Sequence, residues 1–410
     1  MRLAVFSHKP CWRSASSPTG YATDGGFPFQ MKALSELFDE TRLLVPCYPR
    51  NNGTGEIALE GHNLSVVPLS ARRGRGFSSK LTFLPWLLLN CGRILRELRR
   101  ADAVHAPIPG DVGTVGMLGA WFCRKPLFVR YCGNWLTVKT TADRFWHWFI
   151  EWYAGGRNVM LATGGTAEPP SRTNQSIHWI FSTSLTEAEI RELAKSQVEL
   201  VPEKMHLVIV GRQEAGKGTD LLIAALPLIH RQYPHAVLDV VGDGSAVATL
   251  KRLAAELGIG EKVAFHGKVN HAEVIRLVQN AHIFCFPSKS EGFPKVVLEA
   301  LACGLPVLAT PVSVLPMLLS IGCGVLIEPD VASIATAVCA LAASPSRYKL
   351  MSAKARETAR EYTLERWRDT IGGYLEAAWG QLKTKEDGSW KIEDGRAKVE
   401  AGSSKIGVGR

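Results

Sequence analysis

In the second half of the chain, apolar residues form short unbroken runs, separated by stretches in which they recur every three or four positions. The runs are His206-Leu-Val-Ile-Val-Gly, Ala236-Val-Leu-Asp-Val-Val-Gly, Val263-Ala-Phe-His-Gly, Ile283-Phe-Cys-Phe-Pro, Pro306-Val-Leu-Ala-Thr and Gly324-Val-Leu-Ile. Unbroken apolar runs predict strands buried on both faces, and the segments between them (220–232, 246–257, 271–280 and 294–303) predict helices. The first half shows the same alternation less clearly. A strand is expected at 3–7, a glycine-containing loop at 19–28, a helix from 30 to 38 with apolar positions 31, 34, 37 and 38, and a strand at 42–46. Alternation resumes through 103–105, 112–122 and 126–131. The fold class is therefore α/β, with two Rossmann-like domains, a linker between about 171 and 204, and a ligand cleft at the carboxyl ends of the strands.

Composition narrows this picture. A chain of 410 residues has room for two or three domains with full cores. Met1-Arg-Leu-Ala-Val-Phe has too short an apolar run for a secretory signal and reads as a first strand. The longest greasy stretch, 81–89, is interrupted by Thr82, Pro85 and Trp86 and is too short to span a bilayer. The expectation is a cytoplasmic protein, either free or peripheral on the cytoplasmic face of a membrane. Nine scattered cysteines without a Cys-x-x-Cys predict reduced thiols and no zinc site. The net charge of +10 is uneven: residues 1–180 hold 21 Lys and Arg against 12 Asp and Glu, and residues 181–410 hold 27 against 26. Such an excess bears on partners rather than on fold. The tail from 383 to 410, poor in apolar residues, is expected to be disordered.

Two motifs carry candidate chemistry. Gly211-Arg-Gln-Glu-Ala-Gly216-Lys217-Gly218-Thr219 follows a strand and opens a helix, where anions bind. It comes near the P-loop pattern, but Gly218 stands where that pattern needs a Mg²⁺-binding hydroxyl. Arg212 and Lys217 suit a diphosphate leaving group, and a solvated basic turn is the plain alternative. Pro287-Ser-Lys-Ser-Glu291-Gly-Phe-Pro294-Lys-Val-Val-Leu-Glu299 again reads strand, loop, helix, with Pro294 expected as the first helical residue. N–H groups from Gly292 to Val296 can face an anion, and Glu291 and Glu299 can accept hydrogen bonds from hydroxyls. Taken alone, these are a loop charge and a helix charge of a common kind.

The ordered set Val210-Gly-Arg, Lys217-Gly, Val241-Gly-Asp-Gly, Phe265-His-Gly, Glu291-x7-Glu299 and Ala302-Cys-Gly-Leu-Pro-Val resembles the donor domain of family 4 glycosyltransferases, over residues 205–370. The closing Tyr362-Thr-Leu-Glu-Arg-Trp is similar to that family's final helices. The first half resembles it only through the opening strand and Gly25-Gly26. The resemblance implies a GT-B fold: an acceptor-side domain at 1–180, a nucleotide-sugar domain at 181–363, and a helix at 364–382 crossing back to the first domain. It implies a retaining, metal-independent hexosyl-type transfer without a cofactor, in polysaccharide, lipopolysaccharide or glycolipid synthesis. Arg212, Lys217 and Glu291 would be catalytic. Gly25, Gly26, Gly211, His266, Gly267, Gly292, Phe293, Pro294, Lys295, Val296 and Glu299 would hold the donor, with Glu299 on the ribose and the loop after Gly267 at the nucleobase. The departing phosphate oxygen would take the acceptor's proton. Many members carry a His in the loop that here reads Cys132-Gly-Asn-Trp135; Asn134 and Trp135 stand in as acceptor-side candidates, or else cap and pack a turn. His105, one strand earlier, reads as a core histidine, and Asp243 as a turn residue.

Residues 71–100 hold eight Lys and Arg against Glu97 alone, around Phe83-Leu-Pro-Trp-Leu-Leu-Leu. Two readings stay open: a helix lying on an anionic membrane beside a lipid-linked acceptor, or a helix with an apolar core face and solvated arginines. No nucleic-acid module is visible. Trp146, Trp148 and Trp152 suit a packed helix or a sugar-stacking platform. The alternatives to transfer are a nucleotide-sugar epimerase or inactive binding subunit of the same fold, and a P-loop-like nucleotide hydrolase.

Overall fold

The apolar runs assemble into two sheets in the computed structural model, which describes residues 1–49, 57–71, 82–195 and 199–384. The first sheet contains β1 (Arg2–Phe6), β2 (Cys11–Arg13), β3 (Tyr21–Thr23), β4 (Glu40–Tyr48), β5 (Ile57–Ala58), β6 (Leu64–Ser70), β7 (Ala103–Ile108), β8 (Leu127–Tyr131), β9 (Asn158–Thr163) and β10 (Ile177–Ile180). Its order is β10-β9-β8-β7-β1-β4-β2-β3-β5, with β6 also on β4. The long strands pair in parallel, and only β3 runs antiparallel to its neighbours β2 and β5. The second sheet contains β11 (His206–Val210), β12 (Val237–Val241), β13 (Val263–Gly267), β14 (Ile283–Phe286), β15 (Val307–Ala309) and β16 (Gly324–Leu326). It is parallel throughout, in the order β13-β12-β11-β14-β15-β16. In this doubly wound order the chain begins at the centre, moves outward, and restarts on the other side of β11. The crevice between β11 and β14 is therefore the switch point at which such sheets take ligands.

Helices cover both sheets. They are α1 (Phe27–Ser35), α2 (Phe83–Arg100), α3 (Asp111–Phe122), α4 (Thr141–Tyr153), α5 (Glu187–Leu193), α6 (Thr219–His230), α7 (Val247–Glu256), α8 (His271–Gln279), α9 (Lys295–Ala302), α10 (Leu315–Leu319), α11 (Val331–Ala342), α12 (Pro345–Ala359) and α13 (Leu364–Trp379). On the first sheet α2, α3 and α4 share one face with Phe6, while α1 and α13 share the other with Phe38. Capping boxes fix the starts of α4 (Thr140 with Asp143) and α5 (Thr186 with Glu189). Helix α13 follows the second sheet in sequence yet packs on the first, where Trp367 is fully buried. The chain thus passes between the two sheets twice, before α5 and before α13. The two passages are tied together: the Leu364 N–H donates to Leu185 O at 2.7 Å, and the Glu187 N–H to Glu365 Oε2 at 2.9 Å.

Helix α2 packs against the sense of its composition. It buries Asn90 and Glu97 and exposes Leu84, Leu88, Leu89 and Leu95. The buried polar groups are satisfied: Arg42 Nε donates to Glu97 Oε2 at 2.5 Å, and Asn90 Oδ1 accepts from the Ser70 N–H at 3.0 Å. Arg72, Arg73, Arg75 and Lys80 of the basic segment lie outside the described residues, as does the tail from 385 onward. No helix among the described residues is long and apolar enough to cross a membrane.

Candidate functional site

Strands β11 and β14 are neighbours, so the loops leaving their carboxyl ends meet. This places the two sequence motifs against each other. Lys217 Nζ donates to Glu291 Oε1 at 2.5 Å across 74 positions of sequence, and the Ser288 hydroxyl donates to the same oxygen at 2.6 Å. The Lys289 N–H closes the pairing on Gly216 O at 2.8 Å. Gly218 sits at the entrance of α6 with φ +75°, and a side chain there would run into the Pro287 carbonyl. That contact is the physical reason why the loop departs from the P-loop pattern at this position. Gln213 is buried and braces the loop: its amide donates to Gly211 O at 2.9 Å, and its Oε1 accepts from Thr219 Oγ1 at 2.7 Å. Arg212, between these anchored residues, remains exposed at the mouth.

Three helices open toward this edge without a side-chain cap: α1 after Gly26, α6 after Gly218 and α9 after Pro294. Their first N–H groups are left to an incoming acceptor such as phosphate. Pro294 differs from expectation. With ψ 88° it is the cap rather than the first helical residue, and Val297 makes the first inward bond, onto Pro294 O at 3.0 Å. One turn into α9, Glu299 is 6% exposed and faces His271 Nε2 at 3.3 Å. The hydrogen bond to Glu299, working against burial, raises the His271 pKa.

The carboxyl edges of the two sheets face each other. A Cβ on Gly26 would lie 2.9 Å from Lys295 Nζ and 3.0 Å from Ser184 Cβ, so glycine there permits the close approach of α1 and α9. Gly25, at φ +69°, turns the chain into α1 beside Lys9. Gly292 faces Gly133, and Asn134 Nδ2 reaches Ser290 Oγ at 3.4 Å. Phe293 and Lys295 line a cavity between the sheets, and Val296 is half-buried beside them.

Two of the expected site residues already hold protein partners. The His266 ring is held by Asp239 Oδ1 at 2.6 Å, and the same carboxylate takes His206 at 2.6 Å, so the ring is committed within the sheet. Burial pushes the Asp239 carboxyl up, but the two imidazole hydrogen bonds outweigh it and its pKa falls below the usual value. The backbone of this segment turns at Gly267, with φ +64°, whose carbonyl accepts from the Gly242 N–H. Trp135 is buried, stacks on His147 with ring centroids 3.8 Å apart, and donates its indole N–H to Pro170 O at 2.8 Å. It therefore packs the turn, the second of the two roles expected for it. His105 is fully buried against Phe128, with burial pushing its pKa down to about 3. Asp243 turns back on the Gly244 N–H.

Sequence reasoning missed Gln213, Ser288, His271 and Arg130. For Arg130 a signal existed: a lone charge inside Leu127-Phe-Val-Arg-Tyr, a strand with no exposed position. No group of three or more His, Cys, Asp or Glu side chains placed to hold a metal occurs among the described residues.

Residues 190–358 match the family described as Glycosyl transferases group 1. A GDP-mannose-dependent alpha-(1-6)-phosphatidylinositol monomannoside mannosyltransferase of Mycolicibacterium smegmatis is 34% identical over 170 residues, which is 39% of this chain and 44% of that protein. A D-inositol 3-phosphate glycosyltransferase of Mycolicibacterium gilvum is 36% identical over 147 residues, 34% of this chain and 33% of that one. The chain thus spans less than half the length of these curated relatives. Among solved structures, Anabaena HepE in complex with UDP and glucose superposes with a TM-score of 0.67 at 16% identity, covering 92% of this chain and all of that one.

Proposed function

The chain is of the family 4 glycosyltransferase type with a GT-B fold, and from that premise we propose that it transfers a sugar from a nucleotide-sugar donor to an acceptor hydroxyl. One observation carries this reading: the Arg212–Lys217 loop and the Glu291–Glu299 segment meet at the switch point of the second sheet. Arg212, Lys217 and the open N–H groups of α6 and α9 face the place where a diphosphate would leave. There they would stabilise charge that grows as the bond from the anomeric carbon to the phosphate oxygen breaks. In the same reading Glu291, fixed by Lys217 and Ser288, holds hydroxyls of the transferred sugar, and Glu299 holds the ribose. The departing phosphate oxygen takes the proton of the acceptor hydroxyl as the new bond forms on the same face. Configuration is then retained, and cationic side chains take the electrostatic part that a metal plays elsewhere.

A thermal-shift screen of UDP-, GDP- and ADP-sugars tests this. One donor is expected to raise the unfolding midpoint, and the rise to be lost in Arg212→Ala and Glu299→Ala. No response to any of the three classes would count against the assignment.

We further propose that the enzyme works from the cytoplasmic side against an anionic membrane, on a lipid-linked acceptor. The outward leucines of α2 lie among Arg93, Arg96, Arg99 and Arg100. The two neighbouring helices expose large apolar side chains as well, Trp121 and Phe122 on α3 and Trp148 and Trp152 on α4. These helices are contiguous, with Gly119 against Leu98 and Trp121 edge-on to Tyr153 at 5.7 Å. An apolar strip edged by arginines suits an interfacial position. The chain is expected to co-sediment with anionic vesicles at low salt, with about tenfold weaker binding when Leu84 and Leu88 are both changed to Asp. Failure to bind such vesicles would remove the membrane from the proposal and leave the transfer reaction standing.

A further inference from the structure

We propose that the cavity at the carboxyl edge of the first sheet, lined by Lys9, Arg130 and Lys295, is an acceptor subsite for an anionic group of the phosphate class. This rests on the transferase reading above and names the kind of acceptor it takes. The cavity measures about 290 Å³. Its walls come from the residues following β1 (His8 and Lys9), from β8 (Arg130), from the end of β9 (Thr163), and from Phe293 and Lys295 across the cleft. It is the ligand crevice of the first sheet, as the β11–β14 edge is that of the second.

The cavity's charge is unbalanced. No acidic residue lines it. Arg130 is 3% exposed; its Nη2 donates to Gln30 Oε1 at 3.0 Å and its guanidinium lies 5.0 Å over the Trp367 ring. Its Nε and Nη1 have no hydrogen-bond partner, and neither has the buried Thr163 hydroxyl. Burial, and next the charge of Arg130, push the Lys295 pKa down to about 8. Burial and Lys9 likewise lower that of His8. Lys9 itself has a partner in Asp24. Burying a cation without a counter-ion is costly, and an arginine left with unused donors is costlier still. Folding alone would favour neutral side chains in these places. A dianion met by Arg130, Lys295 and Thr163 would satisfy the charge and the open donors together.

The same chemistry could come from the donor's own diphosphate, and competition separates the two sources. The intact chain is titrated with inorganic phosphate, read by its unfolding midpoint, with and without a saturating nucleoside diphosphate chosen from the donor screen. The expected result is a saturable rise that persists on top of the nucleotide, with phosphate affinity about tenfold weaker in Lys295→Gln and in Thr163→Val. No saturable rise, or a rise undiminished in both variants, overturns the site. A rise abolished by the nucleotide overturns the acceptor assignment and gives the cavity to the donor. A chain that ignores every nucleotide, yet answers phosphate through Lys295, sinks the transferase reading and not the anion site.

Discussion

Changing Arg212 to Ala is expected to lower turnover by about 10²–10³-fold with the donor that the screen selects, while the unfolding midpoint of the free protein stays where it was. The two halves of this expectation have separate grounds. Arg212 is exposed at the mouth of the crevice, so its removal leaves the core untouched. Its loop is held instead by Gln213, whose amide binds Gly211 O and whose carbonyl oxygen receives Thr219. The side chain is therefore free to act on charge that appears only as the sugar–phosphate bond breaks, and such interactions act on kcat. Lys217 is expected to behave differently, because its ammonium also fixes the Glu291 carboxylate. Lys217→Ala and Glu291→Ala together should cost less than the product of the single losses, since each already breaks the shared contact. Initial rates for the two single variants and the double variant check this. Fully multiplicative losses would mean that the two side chains act independently.

Gly242→Ala should destabilise the protein by about 3 kcal/mol or more, the largest expected effect of a single methyl group. Gly242 has φ +118°, and a Cβ there would fall inside the Gly211 carbonyl oxygen. Backbone meets backbone, so no side chain can turn aside to make room. Gly244 stands in the same relation to the carbonyl of Gln213. Gly258→Ala is the control: its φ is +67°, but no atom lies within 4 Å of the new Cβ, so only conformational strain of about 1 kcal/mol is expected. Thermal unfolding of the two variants side by side reads the difference. Equal midpoints would mean that the loops after β11 and β12 are not packed as described.

The second half was the more legible in sequence because its inner strands β11, β12, β14 and β15 are buried on both faces, which leaves unbroken apolar runs. The helices between them begin within one or two residues of the expected places. The four charged candidates were visible because Arg212, Lys217 and Glu291 lie on the loops that leave β11 and β14, and Glu299 lies one turn into the helix that follows, where a parallel sheet gathers its loops. What sequence could not give is which strand ends are neighbours. That β11 lies beside β14 and not β15 depends on the chain reversing at β13, and it alone turns two motifs into one crevice. Side-chain direction was equally hidden. His266 and Trp135 sit in the right segments, but a buried carboxylate takes the first and a stacked imidazole takes the second. The first sheet was harder to read because its short strands β2, β3 and β5 carry too few residues to show a period. Its cationic cavity draws on seven separate segments, and no spacing rule joins those.

The hydrogen bond between Leu364 and Leu185 joins the only two places at which the described chain passes from one sheet to the other. Two straps fastened side by side behave as a hinge pin. Turning about that line would leave the bond in place, whereas twisting or sliding across it would break the bond and pull Trp367 from the first core. The paired passages thereby help to keep Gly26 against Lys295 and Gly133 against Gly292 in one register.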